Sequence, residues 1–240
     1  MGAQWKQTHR EAAALKKGQL VGKLVREIMV AAKLGGADPE LNPRLFAALE
    51  KARKNSVTRD TIERAVKKGS GQSDDATVIE LVTYEGFAPH QVPVIVECLT
   101  DSRNRTGPEM RRLFRAGSIG SPGSVAWMFD HLGMIEAHHA DGGIDLESAA
   151  IEAGAQNVEA WADEEVPEER TGARFYTERT ELDAVAKALT QSGWTMVTSE
   201  LAYLIKNPVE LADDQRTEVA AFLNDLDDHD DVHRIYAGLK

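Results

Sequence analysis

Apolar positions in the first part of the chain recur at spacings of three and four residues, the period of a helix with one buried face. Residues 20–33 carry Leu20, Leu24 and Ile28 in this pattern, and Gly35 follows them. Glycine is favoured just beyond the last turn of a helix. The pattern therefore predicts a helix that ends near Gly35.

Two further helices are predicted before residue 70. Asn42 is a suitable N-cap, and Pro43 fits the first helical position. Thr58 is a second N-cap, before a short apolar stripe that Gly69 ends. Three short helices joined by small loops predict a helical bundle.

The hydrophobic period changes from about four to two beyond residue 77. Residues 77–87 and 92–100 predict strands, because they alternate or run continuously apolar with β-branched residues. A helix is predicted over 104–117 with Thr106 as its N-cap, and another strand over 125–129.

From residue 133 the predicted order is β-α-β-β-α-β, the ferredoxin-like arrangement, followed by one more helix and strand. The elements on either side of this unit predict one domain that is split by an insertion. The predicted fold class is α+β in three domains. They are a basic helical bundle with an N-terminal tail (1–72), a split α+β domain (77–132 with 208–240), and an inserted ferredoxin-like domain (133–207).

Composition favours a soluble protein of the cytoplasm. Of the 240 residues, 42% are hydrophobic, yet no apolar run reaches the roughly 18 residues that a membrane helix needs. The first residues are polar and lack the apolar core of a secretory signal. The single cysteine, Cys98, excludes an internal disulfide framework and fits a reducing compartment. We expect no membrane partner.

Charge is distributed unevenly, although the net charge is -11. Residues 1–70 hold 15 Lys or Arg against 7 Asp or Glu, residues 71–132 hold 5 against 8, and residues 133–240 hold 8 against 24. A positive first part and an acidic last part favour an oriented contact with a polyanion. Ordinary variation of surface charge is an alternative that this distribution leaves open.

The segment 103–115 holds five arginines where a strand gives way to a helix. A helix N-terminus and guanidinium groups both bind phosphate well. Ion pairs of these arginines with Asp101, Glu97 or Glu109 are the alternative. The candidate nucleic-acid-binding residues are Lys6, Arg10, Lys16, Lys17, Lys23, Lys51, Arg53, Lys54, Arg59, Lys67, Lys68, Arg103, Asn104, Arg105, Arg111 and Arg112.

No enzyme motif is found. Cys98 shares a strand face with apolar residues, which is typical of a core thiol. The glycines of 117–124 lack the Gly-Lys-Ser/Thr of a phosphate-binding loop, so we predict a turn whose N–H groups could assist an anion contact. His229 and His233 lie four residues apart among aspartates, a spacing that gives one metal-binding face only on a helix. Because this segment runs into a predicted strand, we predict a solvated acidic turn. We predict no catalytic residue, no metal and no cofactor.

Several longer stretches carry a resemblance to a known family. They are KLVREIMVAAKLGGADPELNPRL, ERAVKKG, YEGF, VIVECLTDSRNRT, GSVAWMF and DLDDHDDV. On these motifs the chain resembles the YebC family over nearly its whole length. The start, MGAQWKQTHREAAALKKG, is less basic than is usual in that family.

The resemblance implies a fold and a function. The fold is an α+β protein of three domains, with a ferredoxin-like third domain inserted into the second. The function is that of a cytoplasmic, DNA-binding transcriptional regulator acting at promoter regions. Other members resemble translation activators that bind the ribosome and its RNA, notably where proline-rich nascent chains stall it. Phosphate recognition alone does not distinguish these two partners.

Overall fold

A computed structural model describes the backbone of residues 4–73, 78–162 and 166–240, and the side chains from Lys16 onward within those ranges. The helices are α1 Gln4–Gly35, α2 Pro43–Lys54, α3 Arg59–Gly69, α4 Arg103–Leu113, α5 Leu146–Ala153, α6 Leu182–Gln191 and α7 Asp213–Asp227. The strands are β1 Glu80–Phe87, β2 Pro93–Thr100, β3 Ser118–Ile119, β4 Phe129–His139, β5 Asn157–Ala160, β6 Thr171–Thr177, β7 Thr195–Ile205 and β8 Val232–Ala237. No helix in these ranges is both long enough and apolar enough to cross a membrane.

The first three helices pack around one apolar core, as their hydrophobic spacing predicts. Helix α1 begins at Gln4, well before the predicted start, and ends at Gly35. Ile28 and Leu45 are fully buried between the helices. Gly69 ends α3 against α1, where a Cβ atom would lie 2.3 Å from the carbonyl oxygen of Met29. Only glycine permits this approach.

The predicted N-cap Asn42 fixes the turn between α1 and α2. Its Oδ1 accepts a hydrogen bond from the N–H of Leu45 at 3.0 Å. Its Nδ2 donates to the carbonyl oxygens of Ala31 and Gly36, both at 2.9 Å. One side chain therefore begins α2 and satisfies the end of α1.

The first sheet has the strand order β3-β1-β2-β8, and the pairings between its strands are antiparallel. All eight residues of β2 are buried. Phe114, Met110 and Cys98 pack in the core of this sheet together with Phe222 of α7. Between β3 and β8 the chain leaves this sheet and builds the second one.

The second sheet has the order β5-β6-β4-β7 and is also antiparallel. From the β7 edge the order is β7-β4-β6-β5. The last strand of the β-α-β-β-α-β unit thus lies at one edge, followed by its first, third and second strands. Its core contains Phe175, Leu189 and Trp194. The predicted fold class, α+β with helices first and two β-rich parts after them, is confirmed. The domain limits stay a prediction.

Two local predictions are wrong. The segment predicted as a strand over 125–129 contains a 3₁₀ turn at Ala126–Met128, and the strand begins only at Phe129. Helix α4 begins at Arg103 with Ser102 as its N-cap, so Thr106 lies one turn inside the helix. Both differences have causes that lie far away in the sequence, as described below.

Candidate nucleic-acid interface

One side of α1 contacts the acidic loop between α7 and β8. Lys23 Nζ lies 3.2 Å from Asp227 Oδ1. Arg26 Nη1 donates to the carbonyl oxygen of Asp230 at 2.5 Å, and Arg26 Nη2 lies 3.4 Å from Asp231 Oδ1. The basic bundle is thus attached to a strongly acidic segment, residues 225–231, in which five of seven residues are aspartates. The predicted site residue Lys23 has its charge directed to a carboxylate.

Asp231 also binds the arginine junction. Arg105 Nη2 donates to both carboxylate oxygens at 2.9 and 2.7 Å, and Thr106 Oγ1 donates to one of them at 2.8 Å. Burial alone would raise the pKa of the Asp231 carboxyl, but the hydrogen bonds from Arg105 and Thr106 and the charge of Arg26 outweigh it, so the pKa is lowered. Thr106 therefore orients a buried carboxylate and does not cap the helix.

The other residues at the start of α4 face solvent. Arg103 Nε donates to Glu80 Oε2 at 2.5 Å, in an ion pair whose arginine side chain is 66% exposed. Asn104 is exposed at the second position of the helix. An exposed pair of this kind contributes little to stability and exchanges partners easily. Arg103 can therefore release Glu80 for a stronger anion.

Three arginines further along this segment are exposed. Arg111, Arg112 and Arg115 lie on α4 and the turn after it. None of the three has an ion pair with a residue that the structure describes. Arg111 Nη1 lies close to Gly107, next to the hydroxyl of Tyr84. These guanidinium groups are available to a partner.

The cations of the bundle have more varied surroundings. Arg53 pairs with Glu50 at 2.5 Å, and Arg59 pairs with Glu63 at 2.7 Å, each within its own helix. Burial lowers the pKa of His138 most, and the charges of Arg170 and then Lys54 lower it further, so Lys54 lies near the second sheet. Of the predicted site residues, the exposed lysines are Lys16, Lys17, Lys54 and Lys67, while Lys51 and Lys68 are partly buried. The side chains of Lys6 and Arg10 lie outside the described residues.

The predicted cations therefore form more than one group. Lys23 and Arg105 meet at the Asp227–Asp231 loop, whereas Lys54 lies toward the second sheet. The free guanidinium groups of Arg111 and Arg112 belong to α4 alone. Among the described arginines of the predicted site, Arg111 and Arg112 are the ones without an ion pair.

Sequence reasoning missed the anion that occupies the glycine-rich loop. The N–H groups of Gly123, Val125 and Ala126 donate to the carboxylate of Glu85 at 2.6, 2.9 and 2.9 Å. The predicted turn is present, but its N–H groups bind this internal carboxylate. The same hydrogen bonds explain why residues 125–128 do not join a strand.

The burial of Cys98 and of Asp231 decides two further predictions, which concern a nucleophilic thiol and a solvated acidic turn. Burial raises the pKa of the Cys98 thiol to about 12, so the thiolate is not formed at neutral pH. The predicted solvated turn is wrong for Asp231, whose side chain is only 2% exposed. His229 Nε2 lies 2.9 Å from Glu109 Oε2, on the first sheet's side of the loop.

Comparison with known proteins gives matches along the whole chain. Residues 2–72 match the family described as the TACO1/YebC protein N-terminal domain, and residues 79–239 match the TACO1/YebC second and third domain. A relative from Pseudomonas fluorescens, named probable transcriptional regulatory protein, is 52% identical and covers 100% of this chain and 99% of its own. One from Myxococcus xanthus with the same name is 39% identical over 97% of this chain and 92% of its own.

A solved structure agrees with these matches. The crystal structure of a conserved hypothetical protein from Aquifex aeolicus has a TM-score of 0.76 and 35% identity, covering 94% of this chain and 90% of that one. The resemblance predicted from the sequence motifs is confirmed. Since both parts of the molecule match its models, the chain belongs to the TACO1/YebC family.

Proposed function

We propose that this protein is a non-enzymatic regulator of gene expression that binds duplex DNA by phosphate contacts from α4 and the basic bundle. The observation that carries the proposal is the set of exposed arginines Arg111, Arg112 and Arg115, which have no carboxylate partner among the described residues. Their planar forks suit bidentate phosphate binding.

The start of α4 supports the same contact. Asn104 and the first N–H groups of the helix face solvent, where the helix dipole favours an anion. Arg103 reaches the same region once a phosphate replaces Glu80. Arg105 has a structural role instead, because its hydrogen bonds to buried Asp231 hold α4 in place.

The distribution of charge supports an orientation on the nucleic acid. The acidic part, residues 133–240, is repelled by phosphate, while the bundle and α4 are attracted. Relatives that match the full chain are named probable transcriptional regulatory proteins, which agrees with a regulatory role. The raised pKa of Cys98 argues against a catalytic thiol.

The test is the double charge reversal Arg111→Glu with Arg112→Glu, measured by fluorescence anisotropy with duplex DNA over a series of salt concentrations. We expect affinity to fall more than tenfold. The slope of log K against log salt should become shallower by about 1.8, because each lost phosphate contact contributes about 0.9. The circular dichroism spectrum should not change, since both side chains are exposed.

Arg179→Glu is the matched control, because Arg179 is an exposed arginine of the acidic part. It should leave affinity and slope within twofold of the wild type. A change in log affinity in the control that is half that of the double variant, in proportion to the change in charge, would mean that only net charge matters, which would overturn the proposal. So would a double variant that binds DNA as the wild type does.

The family resemblance also suggests ribosomal RNA as the polyanion. The same arginines would contact the phosphates of structured RNA. A structured ribosomal RNA fragment is therefore titrated beside the DNA duplex. RNA binding at least tenfold tighter than DNA binding, and equally sensitive to the double variant, would replace DNA by the ribosome in this proposal.

A further inference from the structure

A second cluster of polar side chains is buried where the three parts of the molecule meet. Glu27 comes from α1, Glu200 from β7 and His233 from β8. One carboxylate oxygen from each glutamate and one ring nitrogen of the histidine lie within 4.8 Å of one another. The bundle and both sheets thus each supply one atom to a common point.

Two atoms of this cluster are buried without a hydrogen-bond partner. They are Oε1 of Glu200 and Nε2 of His233. The other oxygen of Glu200 accepts a hydrogen bond from Arg234 Nη2. The Glu200 side chain is only 5% exposed, so water does not readily satisfy its free oxygen. Buried polar atoms are nearly always paired, so two unpaired atoms on residues of one cluster indicate that a ligand is missing.

The chemistry of the three side chains favours a metal ion at this point. Nε2 of His233 is buried without a hydrogen-bond partner, so it is a ring nitrogen that an ion can bind. A neutral imidazole and carboxylate oxygens are the ligands that Zn²⁺ and similar divalent ions bind at about 2 Å.

Groups of both charges surround the cluster. Arg234 faces both glutamates, and Arg44 lies near Glu200 and His233. Buried Glu97 adds a third carboxylate beside Glu200. Arg234 binds the oxygen of Glu200 that points away from the free one, as an outer residue does when it orients a metal ligand.

A neighbouring cluster shows what a fully satisfied group looks like. Among the described residues, Glu109, His229 and Asp231 form the other set of three with atoms within 4.8 Å. There His229 Nε2 lies 2.9 Å from Glu109, and its Nδ1 accepts from the N–H of Asp231 at 3.1 Å. Asp231 binds Arg105 as well. Both ring nitrogens of His229 are engaged in this set, so it serves as a control.

We propose that Glu27, Glu200 and His233 bind a first-row divalent cation of the Zn²⁺ class, which links the bundle to both sheets. One imidazole nitrogen disfavours Mg²⁺ and Ca²⁺, which prefer oxygen ligands. The fourth position of a tetrahedral ion is left for water, on the side where the Glu27 side chain is 13% exposed. Sequence spacing gives no sign of the site, because its ligands come from three distant elements.

The test uses the untagged full chain, treated with a chelator and then titrated with Co²⁺. We expect visible ligand-field bands with a stoichiometry of one ion per chain, which Zn²⁺ abolishes by competition. Zn²⁺ should also raise the melting temperature. Absence of a stoichiometric Co²⁺ spectrum in the folded wild-type protein would overturn the proposal.

Three variants locate the ion. His233→Asn and Glu27→Gln should each weaken Co²⁺ binding at least tenfold, and Glu27→Gln keeps the test valid if the more buried His233 variant does not fold. His229→Asn, in the satisfied cluster, should bind Co²⁺ within twofold of the wild type. A spectrum lost with His229→Asn, or kept with Glu27→Gln, would place the ion elsewhere and overturn the assignment.

Discussion

Arg105 donates two hydrogen bonds through a single nitrogen, Nη2, to the two carboxylate oxygens of Asp231, at 2.9 and 2.7 Å. Asp231 is buried, whereas about half of the Arg105 side chain is exposed. Nη2 of Arg26, in α1, lies 3.4 Å from Oδ1 of the same carboxylate. The pair therefore joins the bundle, α4 and the loop before β8.

Asp231→Asn tests the contribution of this carboxylate to stability. The variant keeps the shape of the side chain but removes the charge that faces Arg105 and Arg26. Hydrogen bonds to a charged group contribute about 2 kcal/mol, so we expect the free energy of unfolding to fall by about that amount. Urea unfolding measures it.

Asp230→Asn is the control for this change. Asp230 is exposed, and only its backbone carbonyl binds Arg26. Its substitution should change the free energy of unfolding by less than about 0.5 kcal/mol. Equal losses in the two variants would show that the general acidity of the loop, rather than the Arg105 pair, stabilises this region.

The same pair shows how much of the candidate site the sequence predicts. The arginines of 103–115 are correctly placed at a strand-to-helix junction, because strand and helix periods are local. Their partners are not local. Glu80 lies 23 residues from Arg103, and Asp231 lies 126 residues from Arg105. Which arginine is free and which is paired therefore depends on tertiary structure.

The fold, like the site, is predicted correctly where its causes are local in the sequence. The helices, the strands of both sheets except β3, and the ferredoxin-like order are predicted from hydrophobic period and capping residues. Strand β3, Ser118–Ile119, lies in the segment predicted as a turn. The start of α4 is not predicted correctly, because the hydroxyl of Thr106 binds Asp231 and Thr100 instead of the helix end. The conformation of residues 125–128 is not predicted correctly either, because Glu85 binds N–H groups that a strand would need.

Glu97 makes stability depend on pH near neutrality. Burial, and after it the charge of Glu200, raise the pKa of Glu97 to about 7. The folded protein thus holds this proton more tightly than the unfolded chain does. The contribution is full below about pH 4.5 and is lost as pH rises through about 7, by roughly 3 kcal/mol at most.

Glu97→Gln should remove this dependence, as measured by urea unfolding at a series of pH values from about 5 to about 8. His233 has the opposite sign, because its lowered pKa gives stability above about pH 6.5 that is lost toward about 4. Comparison of the variant with the wild type isolates the Glu97 part. Parallel curves for the two proteins would contradict the prediction.

Glu85→Gln tests the carboxylate that holds the glycine-rich loop. Glu85 accepts three N–H groups, and the loop carries Trp127, whose side chain lies at the surface with 69% of the residue exposed. With a glutamine amide at this position, at least one backbone N–H faces the side-chain NH₂ group and loses its acceptor. The remaining N–H hydrogen bonds lose the negative charge of their acceptor. We expect a loss of about 2 kcal/mol in the free energy of unfolding. Hydrogen exchange at Gly123, Val125 and Ala126 should become faster.

Glu80→Gln, at the other end of β1, is the control. It breaks only the exposed pair with Arg103 and should lower the free energy of unfolding by less than about 1 kcal/mol. Unchanged exchange at these three amides in the Glu85 variant would show that the loop is held by its own turns and not by the carboxylate.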